Sequence, residues 1–194
     1  MIKNLDIFNI ISNDLEPATG RILISEPLLS DDVFSRSVIL IAGMENKSAF
    51  GFILNNPSNK NLHELIDGVE IENLPVFIGG PVEKDVLFCI HTIDYLPDSI
   101  HINDCIYLSG NFDTIKTLVN LGIINNSNAR FFIGNSGWAP EQLHDEINFN
   151  YWLVSETTRE FVFSDFKNQW ERALDFVDKK YEIWKKFPKN PEFN

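Results

Sequence analysis

Apolar residues along this chain fall into short runs divided by glycine, proline and asparagine breaks, and only a few stretches repeat at helical spacing. Arg21-Ile22-Leu23-Ile24-Ser25 reads as a strand that Pro27 stops. Ser37-Val38-Ile39-Leu40-Ile41-Ala42 is apolar almost without interruption, the pattern of a strand covered on both faces. After a polar loop, Ala49-Phe50-Gly51-Phe52-Ile53-Leu54-Asn55 returns as its hairpin partner, and Pro57 ends it. Further strands are predicted at 75–78, 86–91, 105–109, 130–133 and 151–154, with Phe161-Val162-Phe163 as an additional candidate.

Helices are fewer. Leu5, Phe8, Ile10 and Ile11 fit a short N-terminal helix closed by Pro17 and Gly20. Leu62, Leu65 and Ile66 share one side of a short helix over 61–66. Asp113 is placed to cap a helix over 114–120 that Gly122 ends. Pro140 suits a first helical position and opens a helix to about Ile147. The longest helix is expected over about 165–187, capped by Ser164. Its Phe166, Trp170, Leu174, Val177, Tyr181 and Trp184 recur in steps of 4, 4, 3, 4 and 3. That stripe reads as core, with Trp184 and Phe187 left over for a partner. Strands outnumber the helices scattered between them, and no repeats or linkers occur. The pattern predicts an α+β class and one compact domain over 1–194, mostly antiparallel.

Composition narrows the function. With 194 residues, 44% hydrophobic and 23% charged, the chain can bury a core and is neither disordered nor collagen-like. The net charge of −12 is carried by residues 1–150, with 8 Lys/Arg against 20 Asp/Glu. Such a body repels phosphate backbones and argues against direct nucleic-acid binding. The basic cluster Lys179, Lys180, Lys185, Lys186 and Lys189 reads as the solvated end of the last helix. Cys89 and Cys105 form no C-x-x-C pair and sit among apolar residues, so buried inert thiols are expected. Asp6 and Asn9 interrupt the N-terminal apolar run, and no apolar run reaches about 18 residues. The expectation is a cytoplasmic protein with no membrane span.

Three stretches hold candidate chemistry. Gly79-Gly80-Pro81-Val82 is a tight turn after a strand; its amides could cradle an anion, although Pro81 removes a donor. Gly134-Asn135-Ser136-Gly137-Trp138 reads as strand, glycine turn and then helix, with Trp138 a large indole beside the turn. It lacks the last glycine of a G-x-S-x-G elbow, which weakens Ser136 as a nucleophile. Asp32 and Arg36, four apart, could pair across one helical turn. His63, His91, His101 and His144 make no H-E-x-x-H or tight metal cluster, so no metal and no cofactor are expected.

Taken together these stretches resemble the AlgH/YqgE family of bacterial proteins. The resemblance runs through Gly20-Arg21-Ile22-Leu23-Ile24-Ser25-Glu26-Pro27-Leu28, Asp32-Val33-Phe34-Ser35-Arg36-Ser37, Gly51-Phe52-Ile53-Leu54-Asn55-Asn56-Pro57, Gly79-Gly80-Pro81-Val82 and Gly134-Asn135-Ser136-Gly137-Trp138. It continues at Gln142-Leu143, Glu146 and Trp170-Glu171-Arg172-Ala173-Leu174. The chain departs from the family's habits at Gly43, Ser48, Asn56 and Asn135, where His, Gly, Arg and an aromatic are common. The resemblance implies a small barrel-like, bifurcated sheet surrounded by helices. It implies no known reaction; members often carry a transcriptional-regulator label, which without a basic face would have to mean indirect regulation.

The leading expectation is a non-catalytic binding or indirect regulatory module. Its surface would be assembled from Asp32, Arg36, Asn55, Gly79, Gly80, Pro81, Gly134, Ser136, Gly137, Trp138, Gln142 and Glu146. The partner would be a protein or a small molecule. The alternative is a hydrolase-like enzyme using Ser136 or Asp32 with His144 or Glu146. Direct DNA binding through the C-terminal lysines is the third reading.

Overall fold

In the computed structural model, which describes residues 15–29, 31–103 and 105–188, the apolar runs become a forked ten-stranded sheet. Its strands are β1 (Ile22–Ser25), β2 (Val38–Glu45), β3 (Ser48–Ile53), β4 (Pro57–Asn61) and β5 (Pro75–Ile78). They continue with β6 (Val82–His91), β7 (Ile100–Asn103), β8 (Ile106–Leu108), β9 (Ala129–Trp138) and β10 (Trp152–Ser155). Helices α1 (Phe112–Asn120), α2 (Gln142–Asn148), α3 (Arg159–Val162) and α4 (Gln169–Ala173) lie between and after them. The class is α+β. No described helix is long and apolar enough to cross a membrane.

The main path runs β10-β1-β2-β3-β9-β6-β8-β7, and β5, carrying β4, also joins β9. The fork lies along one edge of β9. Residues 131–133 pair in parallel with β5 through Val76, Phe77 and Ile78, while residues 136–138 pair antiparallel with β3 through Gly51, Phe50 and Ala49. The other edge pairs antiparallel with β6. The remaining strand pairs are antiparallel. One strand therefore serves both arms of the bifurcated sheet.

Two glycines make the fork possible. Gly134 bends β9 at φ 71, a left-handed value that glycine adopts without the strain a side chain would bring. Gly80 stands at φ 152, and a Cβ there would collide with the backbone of Asn135 and the hydroxyl of Ser136. At the crotch, the Gly79 carbonyl accepts from the Ile53 amide (3.0 Å) and from the Ser136 hydroxyl (3.0 Å).

Three apolar clusters flank the sheet. Phe52, Phe77 and Phe132 meet the C-terminal Trp170, Leu174, Tyr181 and Trp184. Val76 and Phe131 meet α1 through Ile115, Leu118 and Val119. Leu23, Ile39 and Ile53 meet Trp138, Trp152 and the α2 residues Leu143 and Ile147. Arg130, 6% exposed, crosses the first interface: it donates to the carbonyls of Leu54 (2.8 Å) and Ser164 (2.6 Å) and lies 4.6 Å from the Phe77 ring centre. Burial lowers its pKa to about 10.

Several sequence expectations change. The segment expected as one helix over 165–187 is α4, a 3-10 turn at Leu174–Phe176, and a separate 3-10 stretch at Lys179–Lys186. Val177 is extended (ψ 175), and Asp178 restarts the coil by accepting from the Lys180 amide. Ser164 does not cap it. The apolar stripe is core: Trp170, Leu174, Tyr181 and Trp184 are all buried, so Trp184 is not left for a partner, and Phe187 packs against the same core. The 161–163 strand candidate is instead in and after α3, capped by Thr158. Asn111, not Asp113, caps α1. The helix expected over 61–66 is the single 3-10 turn Leu62–Glu64. The N-terminal helix expected around Leu5–Ile11 lies outside the described residues.

Candidate functional site

The stretch 134–138 is not a turn. It is the second half of β9, and this decides where its side chains go. Alternation places Ser136 and Trp138 on one face of the strand, opposite Asn135 and Gly137, with Ser136 at the fork and Trp138 one step further on beside α2. Ser136 is fully buried, and its hydroxyl is committed to Gly79. Among the described residues it bonds to no histidine or acid, so the expected Ser136 arrangement is not assembled. His144 lies instead 3.7 Å from the Glu16 carboxylate.

The helix after the strand also starts later than expected. Ala139 and Pro140 form a turn, Glu141 sits at φ 68, and α2 begins at Gln142. Gln142 caps this corner by accepting from the Ala139 amide (3.0 Å). One turn on, Glu146 collects three donors. Its Oε2 accepts the indole N–H of Trp138 (2.8 Å) and of Trp152 (2.7 Å), and its Oε1 accepts from the Gln142 amide (2.9 Å). The two indoles meet edge to face at 6.2 Å, and Phe34 meets Trp152 the same way at 5.7 Å. Trp138 is only 5% exposed, yet it walls a cavity.

That cavity is a groove of about 660 Å³. From the predicted surface it gathers Pro81, Gly137, Trp138, Gln142 and Glu146. Opposite them stand Glu26, Leu29, Asp31 and Phe34, with Tyr151 and Trp152 completing the wall. Asp31 holds its turn by accepting from the amides of Val33 (2.8 Å) and Phe34 (3.0 Å). Glu26 is half-buried, and that burial raises its carboxyl pKa.

The other predicted residues belong elsewhere. Asp32 is exposed and does not pair with Arg36. Arg36 turns to the C-terminal segment, donating to the Phe187 carbonyl (2.5 Å), approaching Glu171 at 3.7 Å and lying 4.7 Å from the Trp170 ring centre. Asn55 ties that turn down, donating to the Arg36 carbonyl and accepting from the Val38 amide, both at 2.9 Å. Gly79, Gly80, Gly134 and Ser136 build the fork. Glu26, Leu29, Phe34, Tyr151 and Trp152 were missed as groove residues. The doublet Tyr151-Trp152 was the available signal, an indole placed to answer Trp138.

Both cysteines are free, Cys89 buried and Cys105 half-buried, and burial pushes the Cys89 thiol pKa far up. Among the described residues no group of three or more His, Cys, Asp or Glu could hold a metal. Of the C-terminal lysines, Lys185 pairs with Asp175 and Lys180 lies over the Tyr181 ring.

The profile of a family described as AlgH-like matches residues 22–182. The chain belongs to the AlgH-like family. Among its AlgH-like relatives, the UPF0301 protein BF2109 of Bacteroides fragilis is 40% identical over 193 residues, 98% of each chain. A UPF0301 protein of Bacteroides thetaiotaomicron is 41% identical over 191 residues, 97% of each chain. The AlgH-like fold recurs in the crystal structure of DIP2367 from Corynebacterium diphtheriae: TM-score 0.75, 22% identity, covering 96% of this chain and 100% of that one. It recurs again in the solution structure of AlgH from Pseudomonas aeruginosa: TM-score 0.70, 19% identity, covering 91% and 98%.

Proposed function

We propose that this AlgH-like protein is a non-catalytic binding module whose working surface is the groove walled by Trp138 and Trp152. The observation that carries the reading is the convergence of residues from four separate segments on one concave site, with Glu146 fixed by three donors at its centre. A carboxylate held by neutral donors on rigid elements is pre-organised, which lowers the ordering cost of binding. The polar groups expected for chemistry are committed to structure: the Ser136 hydroxyl closes the fork and His144 faces Glu16. Any influence on transcription would then pass through whatever the groove holds.

The test is a thermal-shift and NMR screen of amines, organic acids, nucleotides and short peptides against the protein and Gly137→Leu. A Cβ at Gly137 meets nothing nearer than the Val82 side chain at 3.7 Å, so the leucine crowds the edge of the groove beside Pro81 and Val82 while sparing the backbone. The reading expects at least one ligand that moves the indole N–H signals of Trp138 and Trp152 in the parent and not in the variant. Ligands that bind both equally, or none from any class, would refute it.

A further inference from the structure

We infer that the groove receives the cationic side chain of an arginine or lysine displayed by a basic partner protein; this rests on the groove reading above. The first ground is unbalanced charge. Glu26, Asp31 and Glu146 all line the groove, and no described lysine or arginine forms an ion pair with any of them. Glu146 is held by two indoles and an amide, all neutral, so none of its hydrogen-bond donors is a countercharge. The Glu26 carboxylate has no hydrogen-bond partner among the described residues, and its raised pKa reflects the lost hydration. An entering cation would supply what water no longer does.

The second ground is the walls. Phe34 and Trp138 each meet Trp152 edge to face, at 81° and 84°, and the three rings wall the groove together with the carboxylates. Cations favour such faces, indole most of all. The fold already uses this combination internally: the Arg36 guanidinium lies over the Trp170 indole with Glu171 beside it. The groove offers the same two groups, carboxylate and indole, with the guanidinium missing.

The third ground concerns the size of the partner. Tyr151 is 43% exposed at the groove wall, and Phe149, 69% exposed, lies 6.1 Å from it, ring centre to ring centre. Leu28 and Val82, next in sequence to the lining residues Leu29 and Pro81, are exposed as well. A free amine would leave this apolar rim wet, whereas a polypeptide would cover it. The net charge of −12 steers a basic partner toward the molecule.

The experiment titrates the full-length labelled protein with a capped pentapeptide bearing arginine between two leucines, with the same peptide carrying citrulline, and with free argininamide. Citrulline keeps the shape and removes the charge. The arginine peptide should move both indole signals, and citrulline should weaken it about tenfold. Glu26→Gln should weaken the arginine peptide several-fold and leave the citrulline peptide unchanged; the Glu26 carboxylate has no hydrogen-bond partner among the described residues, so the isosteric variant keeps the fold. Added salt should weaken the arginine peptide only. Equal binding of the two peptides would overturn the charge assignment while leaving the groove reading standing. Argininamide binding as tightly as the peptide would overturn the protein partner. No movement of either indole at millimolar peptide would overturn the whole inference, and the groove reading would then be judged on its own screen.

Discussion

Ser136 donates its hydroxyl hydrogen bond to the Gly79 carbonyl, 3.0 Å away, at the point where β3 and β5 separate along β9. The bond explains a serine that the sequence presents as a nucleophile candidate. Gly79 keeps its second partner, the Ile53 amide, when the hydroxyl is removed. Ser136→Ala should therefore cost about 1 kcal/mol, read as a lower urea midpoint with unchanged slope. Ser136→Val should cost more, because the added methyls meet the tightly packed Gly80.

The two halves of the glycine pattern should behave oppositely. Gly80→Ala drives a Cβ into the Asn135 backbone at a left-handed φ, and a loss of about 2–4 kcal/mol is expected. Gly137→Ala brings a Cβ into ordinary contact with Val82 at 3.7 Å in an extended strand and should stay within about 0.5 kcal/mol of the parent. Thermal melts of the pair, compared side by side, check the contrast.

Glu146 is expected to govern the order of two indoles at once. Glu146→Ala strips the acceptor from Trp138 and Trp152 together, at a cost of about 1–3 kcal/mol. Near-ultraviolet circular dichroism should lose the tryptophan fine structure of this site while far-ultraviolet signal persists. Gln142→Ala removes only one of the three donors and should lose far less.

His91 should set part of the response to acid. The ring is buried, its Nε2 donates to the Ser109 carbonyl (2.7 Å), and its Nδ1 accepts from the Ile93 amide (3.1 Å). Burial holds its pKa below the ordinary imidazole value, outweighing the Ser109 bond that pulls it upward. The unfolded chain therefore takes up this proton first as pH falls. Stability should be unaffected by His91 above the ordinary value of about 6.5, decline as pH drops below it, and level off once the folded ring is protonated too. Urea midpoints for His91→Gln should start lower at neutral pH and fall less steeply through that window.

Much of this architecture was legible. The apolar run at 38–42 announces a strand covered on both faces, and it became β2 with Val38, Ile39, Leu40 and Ile41 fully buried. The C-terminal stripe named the right core residues, but period alone does not tell one helix from three short coils, and the extended Val177 left no mark on the spacing. Gly134 and Gly137 looked like turn residues because glycine is scarce in strands. In β9 one supplies a bend and the other borders a groove, and both uses depend on partners distant in sequence. The same reason hid half of the site. Trp138 and Glu146 lie eight residues apart and could be read together, whereas Glu26, Phe34 and Trp152 reach the groove only through tertiary pairing.

The central position of β9 has a consequence during synthesis. A nascent chain that has reached residue 128 possesses β3, β5 and β6 but not the strand that all three border. Until residue 138 clears the ribosome, their edges face solvent, with backbone groups open to foreign strands. A translational pause before that point should raise demand for chaperones, and one placed after it should not.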